Sequence, residues 1–541
     1  MIKRTFNIDA DYIHIPIKVG APKNELQFWL GGTMLYQFSV ELSDTGPYHY
    51  FFLNISELKN TSIDLVVPFP NNINQASLDS IFVGSEPEIL PQYDEMYNEK
   101  LRPQFHFSSR RGWLNDPNGL YWHDGLYHLY YQHNPFGVLH GSVNISWGHA
   151  ISEDLIHWQE QKDAILPWRR EWMVASGSAF VDSKNAAGFG ENAVIAALTG
   201  LGTAGEFGGL SPSGGQFLTA SVDNGQTFYR FSQLPQIVVP DGADWRDPCL
   251  LEDNGLYYIA VYERGDDVHG VSFYKSETMR NWEFVSWIPD LFECPDLFKI
   301  RVEETGEEKW VLFGADGLAR VGTFNEGIFT DEGIRFPLDY GTSTYAGQTW
   351  NHAPDNRRIH ISWVRAMDTN TANWENDMGY HDMPFSQCMS VPCEIILHKV
   401  DDQYHLCRFP VKELDKLRIG ASKKTDINLS GTHFVELKAP NDIVFHVDNY
   451  NETILSIKLL GYEIIINSND STVKIDDNPI RKLYQSPTNI RVLTDRTTVE
   501  IFIGDEVCAT YATDTSGIQL SLIGNAHLQM QEWELSSVWH T

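Results

Sequence analysis

Three acids stand out by their settings. Asp116 lies in WLNDPNGLYW, Asp247 in DWRDPCLL and Glu293 in LFECPDLFKI. Each is followed within two residues by a proline and then by an apolar run. Proline is tolerated at the first residue of a strand, where the hydrogen-bond ladder has not begun. Each acid therefore belongs at the mouth of a strand.

Three carboxylates brought together suit glycoside chemistry. A retaining hydrolase uses one ionised carboxylate as nucleophile and one protonated carboxyl as general acid, about 5–5.5 Å apart. Burial and like charge raise one pKa of such a pair while the other group stays ionised. A third acid can accept hydrogen bonds from ring hydroxyls as positive charge develops. Taken singly each motif is weak: WLNDPNG, with its Asp-Pro and Asn-Gly dipeptides, reads as a tight turn between strands. The weight lies in three acids at corresponding positions of a repeat.

The repeat fills the middle of the chain. SWGHAISEDLIHWQE (146–160), FLTASVDNGQTFYRF (217–231) and SFYKSETMRNWEFVSW (272–287) each place a strand, a polar turn and then an aromatic. A further hairpin lies upstream of each, for example GLYWHDGLYHLYYQ and CLLEDNGLYYIAVYE, and two more follow in FKIRVEETGEEKWVLFGA and QTWNHAPDNRRIHISWV. About five such units occupy positions 106–395. Units of four short strands stacked radially make a β-propeller, whose innermost strands face one funnel. The competing arrangement is a large irregular sandwich. Helical periodicity is nearly absent.

The flanks differ. Residues 1–85 alternate apolar and polar, as in IHIPIKV and YQFSVEL, which predicts a small antiparallel β module. Residues 86–103, rich in Pro and acidic side chains, read as a linker. After the catalytic region at 104–398, residues 399–541 return to short alternating strands (ILSIKLL, YEIIIN, VEIFIG) and predict a C-terminal β-sandwich. The expected fold class is thus all-β: a five-bladed β-propeller with a C-terminal β-sandwich and a small N-terminal β module. A sugar-binding role for that module, through Trp29 or Tyr48, competes with a purely structural one.

Composition narrows the partners. The chain has 541 residues and a formal charge of −32, from 40 basic and 72 acidic residues. Nucleic-acid binding needs a positive face, which such a chain does not offer. Neutral carbohydrate fits, and 16 Trp and 23 Tyr suit both strands and sugar surfaces. No run of 18 apolar residues predicts a membrane span. MIKRTFNIDADY carries no apolar signal core, so a removed export signal and a cytoplasmic location both stay open. The six cysteines are scattered, without zinc-like spacing, and read as buried free thiols. His123, His128 and His133 recur every five residues, but odd spacing in strands puts successive members on opposite faces. No dinucleotide or phosphate-binding fingerprint appears. Asn54 and Asn144 head Asn-x-Ser triplets, of interest only in a host that glycosylates.

WLNDPNG, WRDP and FECPDLF together resemble glycoside hydrolase family 32, the β-fructofuranosidases. YQHNP (131–135), SWGHAIS (146–152), SGSAF (176–180), NW (373–374) and the late VEIFIGDEVCATY (499–511) extend the resemblance, in order, over residues 104–541. It implies that Asp116 is the nucleophile on C2 of a terminal fructosyl unit, Glu293 the acid/base and Asp247 the transition-state stabiliser, with Arg246 beside it. It places Asn115, Gln132, Trp147, Ser178 and Trp374 at the fructose pocket and Cys294 beside the acid. It implies no cofactor and a substrate that is a fructose-containing oligo- or polysaccharide: levan, inulin or sucrose. Fructosyl transfer, a catalytically inactive fructan-binding protein and, more distantly, an arabinan-cleaving hydrolase are the alternatives. Two departures stand out: Cys393 where the family often has Arg, and Ala175 where it has Trp or Phe before SGS. The second leaves linkage preference open, as are endo against exo action and oligomeric state.

Overall fold

The computed structural model describes all residues except 44–48, 74, 87–96, 168–171, 203–214, 230–235, 238–243, 266–267, 367–379, 381–382, 451–453 and 540–541. Most of the predicted linker and Tyr48 therefore lie outside the described residues. The chain is all-β; a single short α-helix, Gln75–Asp79, interrupts the strands among those described. Among the described residues no helix is long and apolar enough to cross a membrane.

Among the described residues, 112–410 form five sheets, each an antiparallel meander of four main strands in sequence order. They are led by Gly112–His123, Trp172–Asp182, Asp244–Asp253, Asp296–Arg301 and Thr344–Thr349. Each lead strand touches the next, and the fifth touches the first, so the five close into a ring. The ring is also fastened by hydrogen bonds: Phe385–Ser386 pairs in parallel with Gly112 and Trp113 of the first sheet. The fifth sheet ends with Gln403–Pro410, paired along its length with Cys393–Val400.

Several strands in this region do not alternate, although outer ones such as Cys393–Val400 do. Leu126–Asn134 and Tyr257–Tyr262 are buried almost throughout, because sheets pack against both of their faces. Terminal strands do alternate: Tyr462–Asn467 buries Ile464 and Ile466 and leaves their neighbours half exposed. All six cysteines are buried and unbridged, as their scatter suggests.

Residues 2–84 form two sheets, of four and three strands, over a core of Phe28, Phe38, Ile13 and Ile63. That core takes in Phe136 and Val138 from the loop between the second and third strands of the first ring sheet, with the Phe38 and Phe136 rings 4.5 Å apart. Asn144 exchanges two 2.7 Å hydrogen bonds with the backbone of Ser39, so this buried sequon amide fastens the module and is not presented for glycosylation. Trp29 donates to Gln27.

After residue 410, the described strands join into one ten-stranded hydrogen-bonded sheet. The 16-residue strand Gln519–Glu534 explains the continuity: it pairs with Lys423–Glu436 throughout, with Ile454–Leu459 near its start and with Asn441–Tyr450 further on. One long strand thus carries pairing across what would otherwise be two sheets.

Candidate active site

The lead strands share a local irregularity. Pairing slips between Leu114 and Pro117 in the first sheet and between Val174 and Gly177 in the second. It slips again between Arg246 and Cys249 in the third and between Tyr345 and Gln348 in the fifth. A bulge bends its strand and re-aims a side chain. Asp116, Ser176, Asp247 and Ala346 sit inside these four bulges, with Tyr345 at the edge of the last. Asp247 and Ala346 take left-handed backbone, at φ +61° and +50°. The fourth sheet begins only at Asp296, and a loop supplies the equivalent turn, with Glu293 and Cys294 at φ +49° and +38°. Ala315 donates its amide to the carbonyls of Phe292 and Glu293, at 2.8 and 3.0 Å, and so holds this loop.

The three acids meet around Cys294. Its thiol donates toward Oδ2 of Asp116 at 3.7 Å and Oδ2 of Asp247 at 3.5 Å, and its amide donates to Asp247 at 3.2 Å. Asp116 also accepts from Ser176 Oγ at 2.7 Å and from Asn115 Nδ2 at 3.1 Å. Trp113 Nε1 donates to the Asn115 oxygen at 2.9 Å and so orients that amide. Glu293 accepts from the Arg246 guanidinium on one oxygen and from the Tyr345 hydroxyl on the other. Arg246 also pairs with Asp244, approaches Asp247 to 3.8 Å and lies over the Tyr262 ring.

Burial sets the proton balance. It pushes Asp116 up to about 6; the Ser176 hydrogen bond opposes this and the Glu293 charge adds to it. Burial pushes Asp247 up to about 7 against the pull of Arg246, with Glu293 and Asp116 adding to the rise. The Cys294 thiol, buried among three carboxylates, is driven far above its ordinary value and stays a neutral donor. The sequence argument assigns the raised pKa to one member of a pair, with Glu293 as the protonated acid. In the structure burial raises both aspartates; Glu293, half-buried, is bonded to the Arg246 guanidinium.

Of the residues singled out in the sequence, Asp116, Asp247, Glu293, Asn115, Arg246 and Cys294 form this cluster. Three others stand behind it. Gln132 and Trp147 donate to the carbonyls of Val174 and Ala175, each at 3.0 Å, and so hold the second sheet's bulge from below. Ser178 bridges to the third sheet, donating to Pro248 O and accepting from Leu250 N, both at 2.7 Å. Trp374 lies outside the described residues. His133 pairs with Asp163 and Arg111 O, whereas His128 meets His149 and Tyr121, so the regular spacing builds no common centre. Ser176 and Tyr345 were not visible as site residues in the sequence. Ser176 stood two places from Ser178 in SGSAF, and the bulge decides which serine faces the acids. Tyr345, in TSTYAGQTW, occupies the lead-strand position in the fifth unit, a place the carboxylate pattern does not mark.

The chain resembles known proteins along most of its length. It is 31% identical to the levanase of Bacillus subtilis (strain 168) over 61% of this chain and 49% of that protein. It is 26% identical to the extracellular exo-inulinase of Aspergillus ficuum over 75% of this chain and 88% of that one. The chain thus spans about half the length of this levanase and of the levanase of Bacillus sp. (strain L7). Among solved structures, the exo-inulinase of Aspergillus awamori superposes with a TM-score of 0.68, at 22% identity, over 82% of this chain and all of that one. The fructan 1-exohydrolase IIa of Cichorium intybus superposes at 0.64, with 20% identity, over 81% and 98%. These two establish likeness of fold. The model of the glycosyl hydrolases family 32 N-terminal domain matches residues 106–410, the whole ring of five sheets, and on that match the chain belongs to glycosyl hydrolase family 32.

Proposed function

We propose that this protein is a retaining β-fructosidase that releases fructose from the ends of levan- or inulin-type fructans and from sucrose. The observation that carries this reading is the linkage of Asp116, Asp247 and Glu293 through Cys294 and Arg246, two acids from bulged lead strands and one from a loop at one point. The relatives' names, levanase and exo-inulinase, point to fructose-containing substrates. In this reading the five sheets are blades of a propeller, and their bulged lead strands line a funnel. Residues 1–85 form the N-terminal module, 86–103 the linker and 104–398 the catalytic region, whose last blade is completed by Gln403–Pro410. The remaining chain to 541 is a β-sandwich, its ten-stranded sheet folded over one core.

Asp116, its oxygens aimed by Ser176 and Asn115, attacks C2 of the terminal fructosyl unit. As the C2–oxygen bond breaks, Glu293 gives its proton to the departing oxygen. Glu293 then takes a proton from water, and the hydroxide attacks C2 from the vacated side and frees Asp116. Two inversions give retention. Asp247 accepts hydrogen bonds from fructose hydroxyls as charge develops on the ring. These steps draw on side chains alone.

The test compares wild type with Glu293→Gln and Asp116→Asn on sucrose, inulin and levan, with products separated by chromatography. Wild type should release fructose from all three, with glucose as the other product of sucrose and no ladder of oligosaccharides, and each variant should lose about 10³-fold or more in kcat, as removal of a central catalytic group does. A Glu293→Gln enzyme as active as wild type, or a wild-type ladder of oligosaccharides, would overturn the acid assignment or the exo assignment respectively.

A further inference from the structure

We infer that Phe292, backed by Tyr262 and His269, is the platform on which the leaving-group side of a fructan chain rests, so that the site favours chains over small fructosides. This rests on the fructosidase reading, in which Glu293 protonates the departing oxygen. The first sugar beyond the broken bond must then lie beside Glu293. Phe292 is the preceding residue, and the left-handed backbone at Glu293 and Cys294 sends the thiol inward to the aspartates while the Phe292 ring stays at the rim. The residue is 36% exposed.

That ring is nevertheless fixed. Its plane stands at 76° to Tyr262, with centroids 5.5 Å apart, and at 90° to His269, with centroids 5.1 Å apart. Tyr262 and His269 are themselves joined by a 2.6 Å hydrogen bond from hydroxyl to Nδ1, and Arg246 caps Tyr262 from the catalytic side. A rigid, half-open ring next to the acid offers apolar area to the C–H face of a sugar with little ordering cost.

The test measures kcat/KM for a short fructan of four or more units and for methyl β-fructofuranoside, whose leaving group is too small to reach the ring. The readout is the ratio of the two values in wild type, Phe292→Ala and Phe292→Trp. The Ala variant should lower the ratio about tenfold, chiefly through KM for the chain, and the Trp variant should keep it. An unchanged ratio in Phe292→Ala, or an equal fall on both substrates, would overturn the inference, the latter meaning that Phe292 only positions Glu293. A wild-type enzyme that cleaves neither substrate would refute the fructosidase reading itself and this inference with it.

Discussion

Asp116 is buried yet must be ionised to attack carbon, and burial, with the Glu293 charge, outweighs its hydrogen bonds and leaves it raised to about 6. The Ser176 hydrogen bond is the strongest opposing influence, since it favours the charged form. Replacing Ser176 by Ala should therefore raise the pKa of Asp116 further. Below its pKa the nucleophile is protonated and silent, so the acid limb of kcat/KM should move to higher pH. We expect Ser176→Ala to lose several-fold more activity at pH 5 than at pH 8, read from a pH–rate profile on sucrose. A loss equal at every pH would mean that Ser176 only aims the carboxylate. The acids were legible in the sequence because carboxylate-plus-proline recurs at the start of three units. Ser176 and Tyr345 were not, since a hydroxyl near a strand start carries no such signature and only the folded bulge decides which one reaches the acids.

At the scale of elements, four bulged lead strands and one loop set the geometry, and the loop has the least redundancy. It carries Glu293 on left-handed backbone that a non-glycine residue adopts at a cost of about 1–3 kcal/mol. Gly314 packs beneath it; a Cβ there would stand 2.6 Å from Phe292 O and 3.2 Å from Glu293 O. These are backbone atoms, so the loop itself must move. Gly314→Ala should lower kcat at least about tenfold, because an ångström of misplacement can cost that much or more. The fold should survive, with far-UV circular dichroism unchanged and only a modest fall in Tm. Unaltered kcat would show that the loop yields without disturbing Glu293. The repeat was readable from recurring hairpins, but the bulges were not. A bulge changes pairing by one residue without changing composition, and strands buried on both faces, such as Leu126–Asn134, offer no alternation from which a slip could be seen.

At the scale of the whole molecule, the segment entering the first sheet is tied to the C-terminal sheet by one buried charged histidine. His106 Nδ1 lies 2.9 Å from Asp495 and Nε2 lies 3.6 Å from Glu500, and Asp495 also accepts the amides of Gln104 and Phe105. Thr498 contacts the same ring, and Glu500 accepts the Val391 amide. Burial disfavours the imidazolium, but the two carboxylates outweigh it and raise His106 to about 9. The folded pKa lies above the unfolded value near 6.5, so the folded state binds the proton more tightly. Its contribution, roughly 3 kcal/mol, is present in full below pH 6.5 and lost as pH rises through 9. Above that, two buried carboxylates face each other without their cation. Tm should therefore fall by several degrees between pH 7 and pH 10, and His106→Gln, less stable at pH 6, should lose most of that slope. A variant with the wild-type slope would place the alkaline weakness elsewhere. None of this could be seen in the sequence, where His106 and Asp495 stand 389 residues apart and each reads as an ordinary polar residue in a β-rich chain.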